Sequence, residues 1–551
     1  MKGTKLTILG LIFMLTGAAT LWASHIDVTD QYDLEQALNY ASGNGIDSLV
    51  LTTSGGVYTT HDTLPLMITD PISIVAAPGL AEKPILTNSD PDSNVLEIFR
   101  VTDDVYFDGV VFDGGNAQSH GMKYAIRFGN GLNGEASKVG ANITVKNCDF
   151  VDIFRDKISD PEMEEGHAIY FLRPDNQGDP TIHAGTVRIE NCTFTNIGDE
   201  AIRMTETEKY DTERCLDSLI VRNCTFTNVD AECVRFYSDT NYDTPDAYVL
   251  IEHCTAVNCA TRFTYIKNNA GTIVRDIILA HGRLPAPSRA DRSDYYMQVQ
   301  GPGSYIANVD TFELQAAIPH ERLSAVEDAI TYPETYWGFD PMMADWQNGD
   351  YTLPANSHAY YSAHDGTALG DLRWATNTPS VILFDLTSDS SGHVDTDPVL
   401  EGRCYDPGTS VTLTAVPDSG YEFTGWTGDN TSTDNPLTVT VNSATRLTAH
   451  FQASSGVENR GQVPLTYNLD QNYPNPFNPT THIKFSLKQD GYTTLNVYNL
   501  LGQKVRSLVQ GHYNAGTYNI TFDGSGLASG VYYYELKSGD FHSVKKLVLM
   551  K

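Results

Sequence analysis

Five short segments of the sequence share a pattern that places cationic and aromatic side chains in one column. They read "YAIRF" (124–128), "HAIYF" (167–171), "EAIRM" (200–204), "ECVRF" (232–236) and "TRFTY" (261–265). Neighbouring side chains of a β-strand point to opposite faces, so the apolar members of each segment are expected to face inward. The expected outward column is Arg127, Tyr170, Arg203, Arg235 and Thr264, and the expected flanking column is Tyr124, His167, Glu200, Glu232 and Thr261.

The two arginines at the centre of the outward column suggest a binding site for an anion. Arg203 and Arg235 follow the cysteines of their own repeats at equal distance, so they are predicted to be neighbours on one exposed face. Like charges on adjacent strands destabilise a sheet unless an anion lies against them. One interpretation is a site for an acidic sugar. The other is a surface ladder in which Glu200 and Glu232 neutralise both arginines, worth less than about 1 kcal/mol per pair. Under either interpretation, removing the arginines is expected to leave stability almost unchanged.

The chemistry suited to such a column is the elimination reaction of a uronate lyase. A cation neutralises the sugar carboxylate, a base removes the adjacent proton, and an acid protonates the leaving oxygen. Arg203 and Arg235 are the candidate clamps, and His167, Tyr170 and Lys267 are the candidate bases or acids. Two further residues, Arg127 and Tyr237, are predicted to bind the sugar chain, and Glu200, Glu206 and Glu232 are the candidate ligands of a calcium ion. No other cofactor is predicted.

The elements that must position these residues are strands of a repeat. The phrases "ITVKNCDFVD" (143–152), "VRIENCTFTN" (187–196), "LIVRNCTFTN" (219–228) and "VLIEHCTAVN" (249–258) share alternating apolar residues, then Asn-Cys or His-Cys. A period of about 20–45 residues with short alternating strands is typical of a solenoid, here a parallel β-helix. Stacked coils predict a ladder of Asn196, Asn228 and Asn258 and a stack of Phe150, Phe194 and Phe226.

The eight cysteines of the chain raise the question of disulfides, since the protein is predicted to be exported. Cys148, Cys192, Cys224 and Cys254 occupy the same place in the repeat, which favours a ladder of buried free thiols. Pairing of Cys254 with Cys259, or of Cys215 with a neighbour, is left open.

The "NCTFTN" coils and the segment "DPMMADWQNGDYTLPANSHAYYSAHDGTALGDLRW" (340–374) resemble the right-handed parallel β-helix proteins, notably the pectate-lyase-like and chondroitinase-B-like groups. The resemblance implies an all-β chain with a right-handed parallel β-helix over residues 24–376. This fold hosts lyases, hydrolases, binding proteins and adhesins, so it does not identify the reaction.

The resemblance does not extend to known catalytic residues. Chondroitinase-B-like lyases have two calcium-binding glutamates a few residues before a catalytic lysine. Here "MTETEKYDTE" (204–213) has a different spacing to its lysine. The paired aspartates of pectin hydrolases are also missing as a clear motif.

Two further modules follow the repeats. "GYEFTGWTGD" (420–429) resembles the bacterial repeat related to the internalin B-repeat, which implies a small β-grasp-like module over 377–453. Trp426 and Tyr421 either fill its core, the favoured interpretation, or stack on sugars. After a linker (454–465), "NYPNPFNPTT", "LNVYNLLGQKV" and "GLASGVYYYEL" resemble the C-terminal sorting domain of the type IX secretion system. That resemblance implies a β-sandwich over 466–551, the secretion machinery as a partner, and release or attachment at the outer cell surface.

Charge and hydropathy narrow the class of function. Residues 1–23 have a basic start and an apolar run, which predict a signal peptide, with a membrane anchor as the alternative. No other apolar run approaches the roughly 18 residues of a membrane span, so no transmembrane segment is expected in the mature chain. The formal net charge of −33 argues against nucleic-acid binding. We therefore expect a secreted or surface-anchored protein that acts on an anionic polysaccharide. A uronate lyase is favoured over a glycoside hydrolase, and the alternative is a non-catalytic glycan-binding or adhesive protein.

Overall fold

The structure is a computed structural model. It describes residues 24–31, 33–60, 65–88, 97–115, 122–129, 138–154, 166–172, 183–205, 216–237, 247–267, 269–283, 297–299, 301, 303–314, 324–325, 330–331, 336–400, 402–453, 466–489, 491–500, 504–525, 527–539 and 541–550. The predicted signal peptide and the predicted linker (454–465) lie outside these ranges. No helix within them is long and apolar enough to cross a membrane. The chain divides into two compact units, residues 1–416 with 423–450, and residues 417–422 with 451–551.

The first unit contains a parallel β-helix, which confirms the predicted fold class. Its coils contribute strands to three parallel stacks. The first stack, called the front sheet, has nine strands: Leu66–Ile68, Glu97–Val101, Tyr124–Phe128, His167–Leu172, Ile202–Thr205, Val234–Tyr237, Thr264–Lys267, Met297–Val299 and Ser324–Ala325. The strands of the second stack are His25–Val28, Ser48–Leu51, Ile72–Ala76, Val105–Asp108, Ala141–Lys146, Ala184–Glu190, Leu216–Arg222 and Ile330–Thr331. Those of the third stack are Val57–Thr60, Ile85–Asn88, Val111–Asp113, Asp149–Ile153, Thr193–Ile197, Thr225–Val229 and Tyr336–Trp337. In three later coils one long strand serves both the second and third stacks: Tyr248–Val257, Ile273–Ala280 and Tyr305–Phe312.

The corners of the coils explain why asparagine recurs in the repeat. Asn147, Asn191 and Asn223 turn the chain between the second and third stacks with φ of 52°, 56° and 56°. This left-handed conformation is unfavourable for most residues but is tolerated by asparagine. Each side-chain amide then bonds to the coil before it, with Nδ2–Oδ1 distances of 2.7 Å to Asp108, 3.1 Å to Asn147 and 2.7 Å to Asn191. We call these four residues the first corner ladder.

The second corner ladder lies after the third stack and contains the asparagines that the sequence predicted. Asn196, Asn228 and Asn258 also have positive φ, and their amides donate at 2.8, 2.9 and 2.6 Å to Asp152, Asn196 and Asn228. The predicted asparagine ladder is confirmed, and it begins one coil earlier at an aspartate.

The core between the stacks is built from columns of identical side chains. The rings of Phe112, Phe150, Phe194 and Phe226 are stacked with centroid separations of 4.7, 4.8 and 4.8 Å, which match the spacing of neighbouring strands. Beside them lie the buried thiols of Cys148, Cys192, Cys224 and Cys254. These four and the other described cysteines, Cys233, Cys259 and Cys404, are free. Cys254 and Cys259 are both free, so the pairing between them that the sequence left open is not formed, and Cys233 Sγ lies 3.7 Å from Cys259 Sγ. Cys215 lies outside the described ranges.

Two segments outside the repeats pack against the β-helix. The helix Leu34–Asn44 starts at Asp33, whose side chain accepts from the amides of Glu35 and Gln36, and its buried residues join the core of the β-helix. After the last coil, a segment with the short 3₁₀ helices Trp346–Asn348 and Leu372–Trp374 folds back over the third stack. Arg373 donates to the carbonyls of Asn191 and Cys192 at 2.7 and 2.9 Å. Trp374 Nε1 donates to Thr225 Oγ1 at 2.7 Å. We call residues 338–375 the closing segment.

The remaining strands form two small β modules. One has a four-stranded sheet of Cys404–Tyr405, Ile382–Ser388, Thr445–Ala453 and Tyr421–Gly428 and a three-stranded sheet of Gly392–Asp397, Thr409–Pro417 and Leu437–Val441. Trp426 is buried in this module and donates to the Asp434 carbonyl at 2.9 Å, so it fills the core as favoured, whereas Tyr421 is exposed.

The second unit holds the other β module. Two antiparallel sheets share its core: Asn468–Leu469, Thr480–Leu487 and Gly516–Asp523; and Lys504–Tyr513, Gly491–Tyr498, Gly530–Ser538 and Phe541–Leu549.

Candidate functional site

The front sheet carries the predicted column, with one correction to its register. Arg100, Arg127, Tyr170, Arg203 and Arg235 occupy equivalent positions on successive strands, and the next two positions are Tyr265 and Gln298. We call these seven residues the front row. Thr264, expected in this row, instead pairs with Val234 and is fully buried.

The register error has a physical cause. The alignment of the sequence matched Phe263 to Val234, one residue too early, whereas each coil buries two consecutive residues just before the front row, such as Cys233 and Val234. Phe263 and Thr264 are the equivalent buried pair. The flanking column therefore lies three residues before the front row, and Arg262 takes the place expected for Thr261. The residues of the flanking column are Glu97, Tyr124, His167, Glu200, Glu232 and Arg262.

Glu200 is the centre of the charged network. Its side chain is fully buried, and its Oε1 accepts from Arg235 Nη1 at 2.6 Å. Its Oε2 lies 3.3 Å from Arg203 Nη1 and 3.1 Å from His167 Nδ1. Burial alone raises the pKa of Glu200, but contact with His167 and the charges of Arg203 and Arg235 outweigh it and hold the pKa well below its usual value. The carboxylate is therefore ionised, and both arginines are held by a buried charge.

This arrangement corrects the picture of a surface ladder. A surface ion pair contributes little, but a buried carboxylate that loses a partner is strongly destabilising. The expectation that stability is insensitive to Arg203 and Arg235 considered only that neither side chain packs in the core, and the buried charge of Glu200 argues against it.

Two other buried glutamates repeat the motif along the sheet. Glu97 contacts both Arg100 and Arg127, the latter at 2.7 Å between Oε1 and Nη1. Glu232 Oε1 lies 3.6 Å from Arg262 Nη1. Five arginines are thus arranged around three buried glutamates within the described part of the face. The side chains of these arginines are 11–31% exposed, so positive charge remains available to solvent.

Aromatic rings separate the arginines of the front row. Tyr170 lies between Arg127 and Arg203, whose guanidinium carbons are 5.8 and 5.7 Å from its ring centroid. Tyr265 has Arg235 at 5.3 Å, Arg262 at 4.6 Å and Lys267 Nζ at 5.4 Å. These distances are within the range of cation–π attraction, which fixes the arginines in place.

Two of the candidate acids or bases are buried. His167 is 3% exposed and lies under the rings of Tyr124 and Tyr170. Burial lowers the pKa of His167, so the ring is neutral. Tyr170 is also buried, and burial raises the pKa of its phenol well above the usual value. Neither side chain is placed to reach a molecule in solvent, whereas Lys267 is partly exposed at the edge of the face.

The other predicted residues have different outcomes. The backbone of Tyr237 pairs with Lys267 and Thr205. Glu206 lies outside the described residues.

Calcium at Glu200 does not fit the contacts, because both carboxylate oxygens already face cations or His167. The titratable side chains next to Glu200 are those of His167 and Asp199, not the predicted Glu206 or Glu232. Asp199 Oδ2 lies 3.6 Å from His167 Nε2.

Sequence reasoning missed Glu97, Arg100, Arg262 and Tyr265 as members of the face. The signal was present in "EIFRV" (97–101), which has the same Glu-x-x-Arg spacing as Glu200 and Arg203. Arg262 and Tyr265 have the same three-residue spacing, but Arg stands in place of Glu and Tyr in place of Arg. The alignment of this segment was therefore not recognised.

Comparisons with known proteins identify the C-terminal modules. Residues 384–455 match the divergent InlB B-repeat domain, and residues 471–550 match the secretion system C-terminal sorting domain. The sorting domain indicates delivery by type IX secretion to the cell surface or the exterior.

The chain is similar at a low level to a solved structure. A mutant of the PL6 family alginate lyase AlyGC aligns with a TM-score of 0.33 and 13% identity, over 59% of this chain and 42% of that chain. The match therefore spans less than half of the length of that lyase. Among curated proteins, none matches the chain.

Proposed function

We propose that this exported β-helix protein acts on an acidic polysaccharide held along the front row. The observation that carries the proposal is the set of five half-buried arginines arranged around three buried glutamates. Each glutamate fixes its arginines from below, so the guanidinium groups are already oriented before a ligand arrives. Pre-ordered groups lose less entropy on binding.

A polymer with a carboxylate on its sugars suits the shape of this charge. The arginines follow the stacking direction of the coils, at the strand spacing of about 4.8 Å or multiples of it. Guanidinium groups bind carboxylates through two parallel hydrogen bonds. A nucleic-acid site would need a broad basic face, whereas these cations form a narrow strip on a chain of net charge −33.

Cleavage by β-elimination is the second candidate, and the positions of Arg235 and Lys267 favour it. They lie on adjacent strands of the front sheet, one as a clamp for the carboxylate and one as an accessible amine. In the reaction the amine takes the proton beside the carboxylate, the electron pair forms a carbon–carbon double bond, and the C–O bond breaks as the glycosidic oxygen takes a proton from water. His167 and Tyr170 would act only as positioning residues here, since both are buried.

Binding is tested by calorimetric titration of the full chain with oligosaccharides of alginate, pectate, chondroitin and ulvan. Arg203→Ala should weaken binding of the preferred ligand by about 1.5–3 kcal/mol, the worth of a hydrogen bond to a charged group. Added salt should weaken it further, because half-exposed charges are screened. Arg188→Ala is the matched control, since Arg188 forms a half-exposed pair with Glu190 at 2.8 Å in the second stack. Unchanged affinity in Arg203→Ala would refute the site.

Cleavage is tested separately with the same ligands by the ultraviolet absorbance of the unsaturated product. Lys267→Ala should abolish product formation and leave binding within about threefold, because Lys267 contributes one partly exposed charge. Binding without any product from the wild-type chain would support the non-catalytic glycan-binding protein and remove the lyase.

A further inference from the structure

A second cluster of polar side chains lies where the closing segment meets a corner of the β-helix. The corner positions of the first corner ladder continue, after Asn223, as His253 and Asp276, with φ of 51° and 59°. At these two coils the asparagine of the repeat is replaced by an imidazole and a carboxylate. The closing segment brings His364 and Asp365 over them.

The separations between these groups suit a shared ion better than direct hydrogen bonds. His253 Nε2 is 3.4 Å from Asp365 Oδ2 and 3.7 Å from Asp276 Oδ2. Good N–H···O bonds are about 2.7–3.2 Å long. A tetrahedral ion with bonds of about 2.0–2.2 Å holds its ligand atoms about 3.3–3.6 Å apart. Atoms of His253, His364 and Asp365 all lie within 4.8 Å of one another.

The neighbouring contacts hold two of the three groups in place. Asp365 Oδ1 accepts from the amide and hydroxyl of Thr367 at 3.0 and 2.6 Å, which leaves Oδ2 directed at His253. Asp276 is fully buried, accepts from the His364 amide at 2.8 Å and contacts the His364 ring at Nδ1. A carboxylate bonded to the ring of a histidine is the usual support of metal-binding imidazoles.

His253 is the least satisfied member of the cluster. Its side chain is 6% exposed, and within the described residues its Nδ1 has no hydrogen-bond partner. The distances of 3.4 and 3.7 Å also leave His253 Nε2 without a short hydrogen bond, and coordination of an ion at Nε2 would give that atom a close partner.

The nearest cation does not compete strongly for the cluster. Arg275 Nε lies 3.9 Å from Asp276 Oδ2, but it forms closer contacts of 2.9 and 2.7 Å with Glu252. His364 and Asp365 are 36% and 40% exposed, which gives an ion a path from solvent.

We propose that His253, His364 and Asp365 bind a divalent transition-metal ion of the zinc class, with Asp276 positioning His364. Two imidazoles and a carboxylate are the ligand types that zinc prefers over calcium or magnesium. The ion would join the closing segment to the body of the β-helix. This site does not depend on the polysaccharide proposed for the front row.

The test uses the full chain, treated with a chelator, dialysed and titrated with zinc alone against a chromophoric competitor. We expect about one zinc ion per chain and a rise in the melting temperature with zinc. His364→Ala and Asp365→Ala should each weaken zinc binding by about tenfold or more. Both side chains are partly exposed, so these variants should fold, as checked by circular dichroism without zinc.

His393→Ala is the matched control. His393 Nε2 lies 3.7 Å from Asp395 Oδ1, the same kind of pair at a similar distance, but both side chains are well exposed. Zinc binding should be unchanged in this variant. The proposal is overturned if the wild-type chain binds no zinc, or if its affinity is the same in His364→Ala and Asp365→Ala. Equal stabilisation by calcium would overturn the assignment to the zinc class.

Discussion

Replacing Arg235 should destabilise the β-helix, although the side chain lies at the surface of the front sheet. Arg235 is 18% exposed and forms the shortest contact to the fully buried Glu200, at 2.6 Å. Arg235→Ala leaves Glu200 with Arg203 at 3.3 Å and His167 at 3.1 Å. Removing one partner of a buried ion pair costs about 3–5 kcal/mol. Because two partners remain, we expect a loss of about 2–4 kcal/mol in the free energy of unfolding.

A double-mutant cycle separates this effect from lost packing. Glu200→Gln alone should also destabilise, since it leaves two arginines without their buried counter-ion. The double variant Arg235→Ala/Glu200→Gln should cost less than the sum of the single variants by about 1–3 kcal/mol, because the unpaired charge is absent. If packing of the arginine stem were the cause, the two effects would add.

The measurement is urea unfolding of the full chain followed by circular dichroism. Arg188→Ala is the control, since its pair with Glu190 is half-exposed and should be worth less than about 1 kcal/mol. If Arg235→Ala and Arg188→Ala have the same unfolding midpoint, Glu200 is not a buried charge held by Arg235.

Three further predictions concern pH, the corners and export. The pKa values of Glu200 and His167 are both lowered by folding, so the unfolded chain binds more protons. Their contributions to the free energy of unfolding are complete at a pH above their pKa values in the unfolded chain, about 4.3 and 6.5. These contributions are lost as the pH falls through their lower pKa values in the folded chain. Melting temperature should therefore decline below about pH 6.5, and His167→Gln should flatten the upper part of that decline; a flat wild-type profile would contradict the buried network. Asn228→Ala should destabilise more than Asn228→Gly by about 1 kcal/mol in urea unfolding, because both lose the amide bond but only alanine is strained at φ 55°; equal midpoints would contradict the corner geometry. A chain that ends at residue 465 should remain in the periplasm with a folded β-helix, as shown by fractionation and limited proteolysis, and normal surface delivery would refute the role of the C-terminal domain.

Repetition made the β-helix predictable. Asn196, Asn228 and Asn258 repeat at one position because each coil needs a left-handed corner, and the same chemistry recurs in each copy. Phe150, Phe194 and Phe226 repeat because adjacent coils place them face to face. Such columns can be predicted from one sequence, since every coil repeats the same corner and the same core position.

The front face was only partly predictable, because its contacts cross coils and depend on depth. The alignment identified Arg203, Arg235 and Glu200, but not that Glu200 is fully buried while its arginines stay half-exposed. The segment "TRFTY" was aligned one residue off, which put Thr264 in the place that Tyr265 occupies. The cluster at His253 was invisible in the sequence, because His364 and Asp365 come from the distant closing segment.

The two corner ladders also give the β-helix a chemical direction. Asp108 and Asp152 are carboxylates and can only accept, so the first asparagine of each ladder must donate to them, and every later amide must point the same way. The first ladder ends where the Leu372 amide donates to Asn223 Oδ1. Each coil thus offers an acceptor to the coil that follows it in the chain. A chain that folds from its N-terminus would find an acceptor in place at each of these corners, and the closing segment occupies the last acceptor of the first ladder.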